Sequence, residues 1–269
     1  MNKRTMFSVI IVTLNAEKEI EHTIQSIEEQ TYDDFEVVVK DGGSKDLTLC
    51  KIPQKDRYHI YSIQDKSVYE GMNQAIKLAT GKFIIFFNAG DAFASNNTLL
   101  EVSEYINNKK TQDTPCVLYG NYYRKDSGIQ NQPCKLTDFY LYRRPLCHQS
   151  LFYSYELFDK YGLYNIEYKI SADHEYTMRL WNAKVPFVHT GNVVCTYEGG
   201  GISESEKGWS MALSERKMIR QLHHSTISRI KYETILFFSF SKLRSWIDSG
   251  NSPRWMNRIY LSVRNRTFK

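Results

Sequence analysis

Short apolar runs alternate with amphipathic stretches through the first 120 residues. The runs are rich in β-branched and aromatic residues, as is typical of strands buried on both faces of a sheet, and they cover 7–14, 35–39, 58–63 and 82–87. Apolar residues recur at helical spacing from Ile20 to Ile27, and similar stripes predict helices over 68–80 and 97–109. This order predicts an α/β domain with a mostly parallel sheet and helices on both faces.

Polar turns follow three of the predicted strands. They are Thr13–Asn15, Asp41–Ser44 and Asn88–Asp91. Ligands of such sheets bind beyond the carboxyl ends of the strands. The three turns are therefore expected to share one ligand-binding edge.

The second half of the chain has a weaker pattern. Residues 111–170 look irregular and aromatic, with short strands expected over 116–123 and 149–153. A helix is expected over 173–183 and a strand over 187–197, before the glycines at 199–201 break the chain. We place a domain boundary near residue 205, which gives a first domain of 1–205 and a helical extension of 206–269.

Charge is unevenly distributed along the chain. The 269 residues carry a formal net charge of +5. From Glu204 onward there are thirteen Lys or Arg and five Asp or Glu, so the preceding 203 residues sum to −3. Aromatic residues are interleaved with these basic residues, from Tyr232 through Trp246 and Trp255 to Tyr260. The extension therefore suits an anionic membrane surface, or packs on the main domain with a solvated basic face.

Several other classes of protein do not fit. The five cysteines are odd in number and lack CxxC spacing, which indicates reduced thiols in the cytoplasm and not a zinc site. No GxGxxG follows the first strand, and the glycines at 199–201 lack a P-loop context, which disfavours a nicotinamide enzyme and a P-loop enzyme. No nucleic-acid-binding motif accompanies the basic residues.

Four polar residues have a chemical reading of their own. Asp91 follows an apolar strand and could hold Mg²⁺ or Mn²⁺ across a diphosphate, or cap a turn. Asp41 could accept from N3–H of uracil or from N1–H and the amino group of guanine, or belong to an Asp-Gly turn in which Asp46 caps a helix. Asp173, at the start of a helix, could take a proton from an acceptor hydroxyl, or cap the helix. His148 is isolated, and is an acceptor-side, structural or metal-binding residue.

Six segments in order resemble a known family. They are Ser8–Asn15, Asp41–Asp46, Tyr69–Ala75, Gly81–Asp91, Cys147–Phe152 and Ser171–Asp173. Over residues 7–203 the chain resembles the inverting GT-A glycosyltransferases of family 2, which build bacterial polysaccharides. The resemblance implies a Rossmann-like GT-A fold with a nucleotide-sugar donor, a divalent metal and hexosyl transfer to a saccharide or lipid-linked acceptor.

The resemblance also assigns roles to individual residues. It implies that Asp173 is the catalytic base and that Asp91 binds the metal. The donor-binding set that it implies is Thr13, Asn15, Asp41, Asp65, Asn73 and Asn88. This chain departs from the family pattern at Asn88, Gly90 and Ala172, where relatives carry acids. A catalytically degenerate nucleotide-sugar-binding or partner subunit is therefore the alternative to an active UDP-sugar-dependent enzyme at the inner membrane face.

Overall fold

The computed structural model describes residues 4–109, 114–197, 199 and 205–238. The chain divides into two compact units, of which the first ends at Ile219 and the second begins at Arg220. Most of the loop at 199–203 and the basic residues beyond 238, including Trp246, Trp255 and Tyr260, lie outside the described residues. The expected boundary near residue 205 stays a prediction.

The first half of the chain follows its apolar pattern closely. Its elements are β1 (Phe7–Thr13), α1 (Ile20–Glu28), β2 (Phe35–Asp41), β3 (Tyr58–Ser62), α2 (Val68–Ile76), β4 (Phe83–Asn88), β5 (Ala92–Phe93) and α3 (Thr98–Lys109). The side chain of Ser67 begins α2 by accepting from the backbone N–H of Glu70. Helix α2 ends at Ile76, four residues earlier than its stripe predicts. A Cβ at Gly81 would lie 2.5 Å from the backbone nitrogen of Ser8, so the turn into β4 requires glycine.

The second half contains more regular structure than its sequence suggests. Its elements are β6 (Val117–Arg124), β7 (Gly128–Gln130), α4 (Asp138–Arg143), β8 (Leu151–Ser154), α5 (Glu156–Tyr161), α6 (Ala172–Asn182), β9 (Phe187–Tyr197), α7 (Glu206–His223) and α8 (Thr226–Phe238). A 3₁₀ turn over His148–Ser150 precedes β8. The segment expected to be irregular thus holds two short helices and a hairpin.

The described strands form one sheet with the order β3-β2-β1-β4-β8-β6-β9-β5, and β7 pairs with β6. Strands β3, β2, β1 and β4 are all parallel, as predicted. Beyond β4 the sheet is mixed, because β8 runs antiparallel to both β4 and β6, whereas β9 runs parallel to β6. The short strand β5 pairs antiparallel with the end of β9.

Two hydrophobic cores cover the two faces of this sheet. Because side chains alternate along a strand, Ile10 of β1 joins one core and Val9 joins the other. The first core includes α2, α5 and α6, and Ile219 of α7 is buried in it. The second includes α1 and α3. The predicted α/β layering is confirmed.

The last two described helices follow the final strand in the chain. Helix α7 begins in the first compact unit and ends in the second, whereas α8 lies within the second. No helix in the described part of the chain is both long and apolar enough to span a membrane.

Candidate active site

The register of the parallel strands brings three polar turns to one edge. Thr13 at the end of β1 pairs with Asp41 at the end of β2, and Asp41 pairs in turn with Ser62 of β3. On the other side of β1, Val12 pairs with Asn88, the last residue of β4. The three strands therefore end level, and their turns are neighbours.

Asp41 is fully buried and is held by its own turn. Its oxygens accept hydrogen bonds from the backbone N–H groups of Gly43 (2.9 Å) and Ser44 (3.0 Å). They also accept from the hydroxyls of Ser44 (2.5 Å) and Ser62 (2.7 Å). Burial alone would raise the pKa of Asp41, but these hydrogen bonds outweigh it and lower the pKa below its ordinary value. The carboxylate is therefore charged and shapes the turn.

Thr13 and Asn15 flank that turn. The Thr13 hydroxyl is buried and has no hydrogen-bond partner among the described residues. Asn15 adopts a left-handed backbone (φ 49°), which asparagine tolerates better than most residues. Its side-chain oxygen accepts from the backbone N–H of Lys45 at 2.9 Å, and its own N–H donates to Ser44. Their contact with a nucleoside stays a prediction.

Asp65 lies beside the same turn and is paired with a buried lysine. The Nζ of Lys40 is 2.7 Å from Asp65 Oδ2, and the Lys40 side chain is fully buried. Lys40 also donates to the backbone carbonyls of Asp41 and Ile63. Added Cβ atoms at Gly42 and Gly71 would come within 3.1 and 3.0 Å of the Asp65 carboxylate, so two glycines make room for it.

Asp91 folds back onto the end of β4. Its Oδ2 accepts from the backbone N–H of Asn88 at 2.9 Å, with the Asn88 side-chain amide at 3.3 Å. The same oxygen accepts from the side-chain amide of Gln149 at 3.1 Å. Between them Gly90 has φ 102°, a conformation that favours glycine. Asp91 is thus linked to the 3₁₀ turn that carries His148.

His148 is buried in an aromatic cluster. Its ring stacks on Phe86 of β4, with ring centroids 5.3 Å apart, and meets Tyr164 edge-on. Neither ring nitrogen has a hydrogen-bond partner among the described residues. Burial lowers the pKa of His148, although the nearby charge of Asp173 opposes this effect. The imidazole is therefore neutral near pH 7, and its pKa responds to the charge of Asp173.

Asp173 is the second residue of α6 and is partly exposed. Its Oδ1 accepts a hydrogen bond of 2.9 Å from the hydroxyl of Tyr69, on α2. Burial and the charge of Asp173 raise the pKa of Tyr69 well above its ordinary value, so this phenol remains a donor. Tyr69 precedes Gly71, which packs against Asp65. Contacts from α2 thus join the Asp65 turn to the candidate base.

Asn73, also on α2, makes a different contact from the expected one. Both ends of its amide bind the main chain of Tyr164, with its nitrogen 2.9 Å from the carbonyl and its oxygen 3.0 Å from the N–H. This clamp fixes the loop whose Tyr164 ring meets His148. Donor binding by Asn73 stays a prediction.

The fold and these turns agree with a known family. The family model described as Glycosyl transferase family 2 matches residues 8–193, which include every site residue named above. The chain belongs to glycosyl transferase family 2. It is a glycosyltransferase with the GT-A, Rossmann-like fold.

Curated relatives of this glycosyltransferase match most of its length. It is 31% identical over 247 residues to a PGL/p-HBAD biosynthesis glycosyltransferase of Mycobacterium bovis (strain BCG / Pasteur 1173P2), covering 89% of this chain and 93% of that one. It is 30% identical over 120 residues to the UDP-Glc:alpha-D-GlcNAc-diphosphoundecaprenol beta-1,3-glucosyltransferase WfgD of Escherichia coli, covering 44% and 46%.

Solved glycosyltransferase structures share the fold. TarS of S. aureus, residues 1–349 in complex with UDP, has a TM-score of 0.63 at 19% identity, over 90% of this chain and 74% of that one. The match to another TarS crystal structure covers 42% of that chain. The mannosyltransferase PcManGT of Pyrobaculum calidifontis, in complex with GDP-Man and Mn²⁺, has a TM-score of 0.58 at 19% identity, covering 76% and 59%. At these identities the likeness shows the fold alone.

Sequence reasoning missed three side chains of this glycosyltransferase site. Lys40 had a visible signal, since it is a single lysine in an otherwise apolar strand end. Tyr69 and Gln149 stand in the family motifs but received no role. Their contacts with Asp173 and Asp91 join residues 104 and 58 positions apart, a distance that no local pattern encodes.

Proposed function

We propose that this glycosyltransferase moves a sugar, with inversion, from a nucleotide-sugar to a saccharide or lipid-linked saccharide acceptor in cell-surface polysaccharide synthesis. A UDP-sugar is the preferred donor. The observation that carries the proposal is the set of contacts around Asp173. This carboxylate is partly exposed, begins a helix and is oriented by the Tyr69 hydroxyl, while its charge reaches the histidine beside the Asp91 turn.

In this reaction Asp173 is proposed to act as the general base. As the acceptor hydroxyl attacks the anomeric carbon, its proton passes to the carboxylate. A carbon–oxygen bond to the acceptor forms, the bond from the anomeric carbon to the diphosphate oxygen breaks, and the nucleoside diphosphate leaves with the electron pair. Tyr69 stays protonated and holds the carboxylate in place. Neutral His148, whose ring nitrogens lack protein partners in the described part, is suited to bond a sugar hydroxyl.

The donor would lie along the three strand ends. Thr13, Asn15 and Asp41 are proposed to contact the nucleoside, and Asp65 and Asn88 the rest of the donor. Two relatives favour UDP by their names, since WfgD uses UDP-Glc and a TarS structure contains UDP-GlcNAc. PcManGT contains GDP-Man, so a GDP-sugar is the competing donor. Thermal-shift titrations with UDP and GDP test this choice, and stronger stabilisation by GDP would reverse it.

We also propose a divalent ion, Mn²⁺ or Mg²⁺, at Asp91. No cluster of three or more His, Cys, Asp or Glu side chains able to hold a metal occurs among the described residues. Such ions often take one or two protein carboxylates and complete their shell with diphosphate and water, which the Asp91 carboxylate fits. When bound, the ion would supply positive charge to the departing diphosphate. UDP-dependent Mn²⁺ binding, followed by calorimetry, should disappear in Asp91→Asn; unchanged binding would contradict the site.

The acceptor side is proposed to lie at a membrane surface on the cytoplasmic side. The names of two relatives refer to PGL biosynthesis and to a diphosphoundecaprenol acceptor. In the second unit, α8 exposes Ile227 and Ile230 next to Arg229 and Lys231, a pattern suited to anionic lipid. The intact chain should float with phosphatidylglycerol vesicles, and Ile227→Glu should weaken flotation. Equal flotation of both, or none, would contradict the proposal.

Asp173→Asn is the central test of the function. The variant should lose turnover by about 10²–10⁴-fold because the amide cannot take the proton. Binding of UDP, measured by thermal shift, should survive. Asp159→Asn is a matched control, since Asp159 is an exposed aspartate in the first turn of α5.

The outcomes separate the enzyme from its alternative. Near-normal turnover in Asp173→Asn would remove the base assignment. A wild-type chain that binds UDP but neither transfers nor hydrolyses any UDP-sugar with Mn²⁺ would favour the degenerate binding subunit, which the replaced acids at Asn88, Gly90 and Ala172 make worth testing.

A further inference from the structure

Glu215 of α7 is a buried carboxylate with an unusual set of partners. Only 4% of the residue is exposed. One oxygen accepts from the backbone N–H of Lys169 at 2.6 Å. The other accepts from the N–H groups of Ile170 and Ser171 at 3.0 and 2.8 Å. Three consecutive backbone donors thus converge on one carboxylate.

These three amides lead directly into the helix that carries the proposed base. Helix α6 begins at Ala172, and its N-cap residue Ser171 makes no side-chain capping bond. The N–H groups at the start of a helix need acceptors, and their partial positive charge favours an anion. Of the three amides, that of the N-cap residue Ser171 is such a group, whereas those of Lys169 and Ile170 precede the helix. Glu215 supplies that anion from a helix more than forty residues away. The carboxylate therefore fixes the entry into α6.

A second contact, from the Tyr69 hydroxyl, binds a backbone carbonyl of the same segment. The Tyr69 hydroxyl lies 2.7 Å from the carbonyl oxygen of Ile170 and 2.9 Å from Asp173 Oδ1. Ile170 is thus bound through its N–H by Glu215, and its carbonyl shares the single hydroxyl proton of Tyr69 with Asp173. The side chains of Glu215 from α7 and Tyr69 from α2 therefore both bind the backbone just before Asp173.

We propose that Glu215 is a positioning residue for sugar transfer, which acts by fixing the backbone from which Asp173 projects. The inference rests on the proposed role of Asp173 as base. Glu215 lies outside the segment 8–193 that the family model matches, so the catalytic geometry depends on a helix beyond that segment. Displacements of about 1 Å in a reacting group can cost about 10²-fold in rate, which gives such a clamp its effect.

Glu215→Gln tests the clamp with little change of shape. The amide cannot accept all three N–H groups, and its own N–H₂ would face donors. We expect turnover to fall about 10–100-fold while the KM for donor and the thermal shift on UDP binding change less than about threefold. Glu206→Gln is the matched control, because Glu206 is an exposed glutamate on the same helix, and it should behave as wild type.

A double variant separates positioning from general structural support. In the Asp173→Asn background the base is absent, so Glu215→Gln should lower turnover little further. The proposal would be overturned if the double variant lost as much turnover as the product of the two single losses. It would also be overturned if Glu215→Gln raised the KM for donor by as large a factor as it lowered turnover. Wild-type turnover in Glu215→Gln would overturn it directly.

Two readouts keep the test decisive. Glu215→Asp retains the charge but not the full reach, so it should keep more turnover than Glu215→Gln; the reverse order would contradict the clamp, and this comparison remains if one variant folds poorly. If Asp173→Asn itself has normal turnover, the proposed base fails. If Asp173→Asn is inactive and Glu215→Gln is normal, the positioning role alone fails.

Discussion

Asp41 and Asp173 are carboxylates of opposite character on one molecule. Asp41 is fully buried, and its oxygens accept from Gly43, Ser44 and Ser62 within a few residues or on the adjacent strand. Asp173 is partly exposed and, among the described residues, accepts a bond from the Tyr69 hydroxyl on another helix. A carboxylate that already accepts four protein hydrogen bonds mainly fixes the shape of the turn that would meet the nucleoside, whereas a carboxylate with open acceptor positions can take a proton.

The difference teaches how the two halves of the site are built. The Asp41 turn is held by local hydrogen bonds and by the buried Lys40–Asp65 pair. The Asp173 turn is assembled from three separate helices. We therefore expect substitutions in the first region to change mainly the free energy of unfolding, and those in the second to change mainly turnover.

Lys40→Met should have the largest effect on stability. Removing one partner of a buried ion pair leaves the other charge uncompensated, and the free energy of unfolding should fall by about 3–5 kcal/mol. Urea denaturation measures it, with Lys77→Met, an exposed site after α2, as control. Adding Asp65→Asn should recover part of the loss. A loss below about 1 kcal/mol would show that the pair is not a stabilising element of this region.

Asp41→Asn should destabilise less, by about 1–3 kcal/mol, because one charged acceptor is lost while the shape is kept. Asp126→Asn, at an exposed hairpin, is the matched control. Turnover under stabilising conditions should fall less than in Asp173→Asn. If Asp41→Asn instead abolishes turnover at unchanged stability, the comparison between the two carboxylates is wrong.

The contribution of Asp41 to the free energy of unfolding should depend on pH in the acid range. Because the folded pKa of Asp41 is lowered, its contribution to stability is present above the unfolded value of about 3.9 and is lost as pH falls through the folded pKa. The loss of stability as pH falls below about 4 should therefore be shallower in Asp41→Asn than in wild type. Denaturation curves at several pH values measure it, and equal slopes would contradict the assignment.

Tyr69→Phe should have the smallest effect. It removes the hydroxyl that orients Asp173, so we expect turnover to fall about 3–10-fold and stability by about 0.5–1.5 kcal/mol. Tyr123→Phe, at an exposed position, controls for loss of a phenol. If Tyr69→Phe changes donor KM and leaves kcat intact, the hydroxyl serves the donor and not the base.

The fold followed from the sequence where apolar periodicity was strong. The four parallel strands appear within two residues of their expected bounds, because β-branched runs buried on both faces leave few alternatives. The strand-end rule also brought Thr13, Asp41 and Asn88 to one edge. The short helices α4 and α5 were missed, since six residues give too little pattern to detect.

The rest of the site depends on contacts that a linear pattern does not carry. Donor binding by Asn73 is a prediction from its motif, whereas the contact of its amide with the main chain of Tyr164 joins residues 91 positions apart, which no local pattern encodes. Glu215 lies in a helix that contains several acidic and basic residues, and no sequence pattern distinguishes it from the exposed ones. Its burial depends on three backbone amides brought to it by the tertiary fold.

Strand β5 pairs with residues of β9 that lie beyond 8–193, the segment that the family model matches. Strand β5 starts immediately after Asp91, and its partners Cys195 and Thr196 come after residue 193, where the matched segment stops. A chain shortened to that segment would leave this strand without the strand that pairs with it, next to the Asp91 turn. The segment that the family model matches is therefore not a complete structural unit in this chain, because the strand beside Asp91 takes its paired strand from residues beyond that segment.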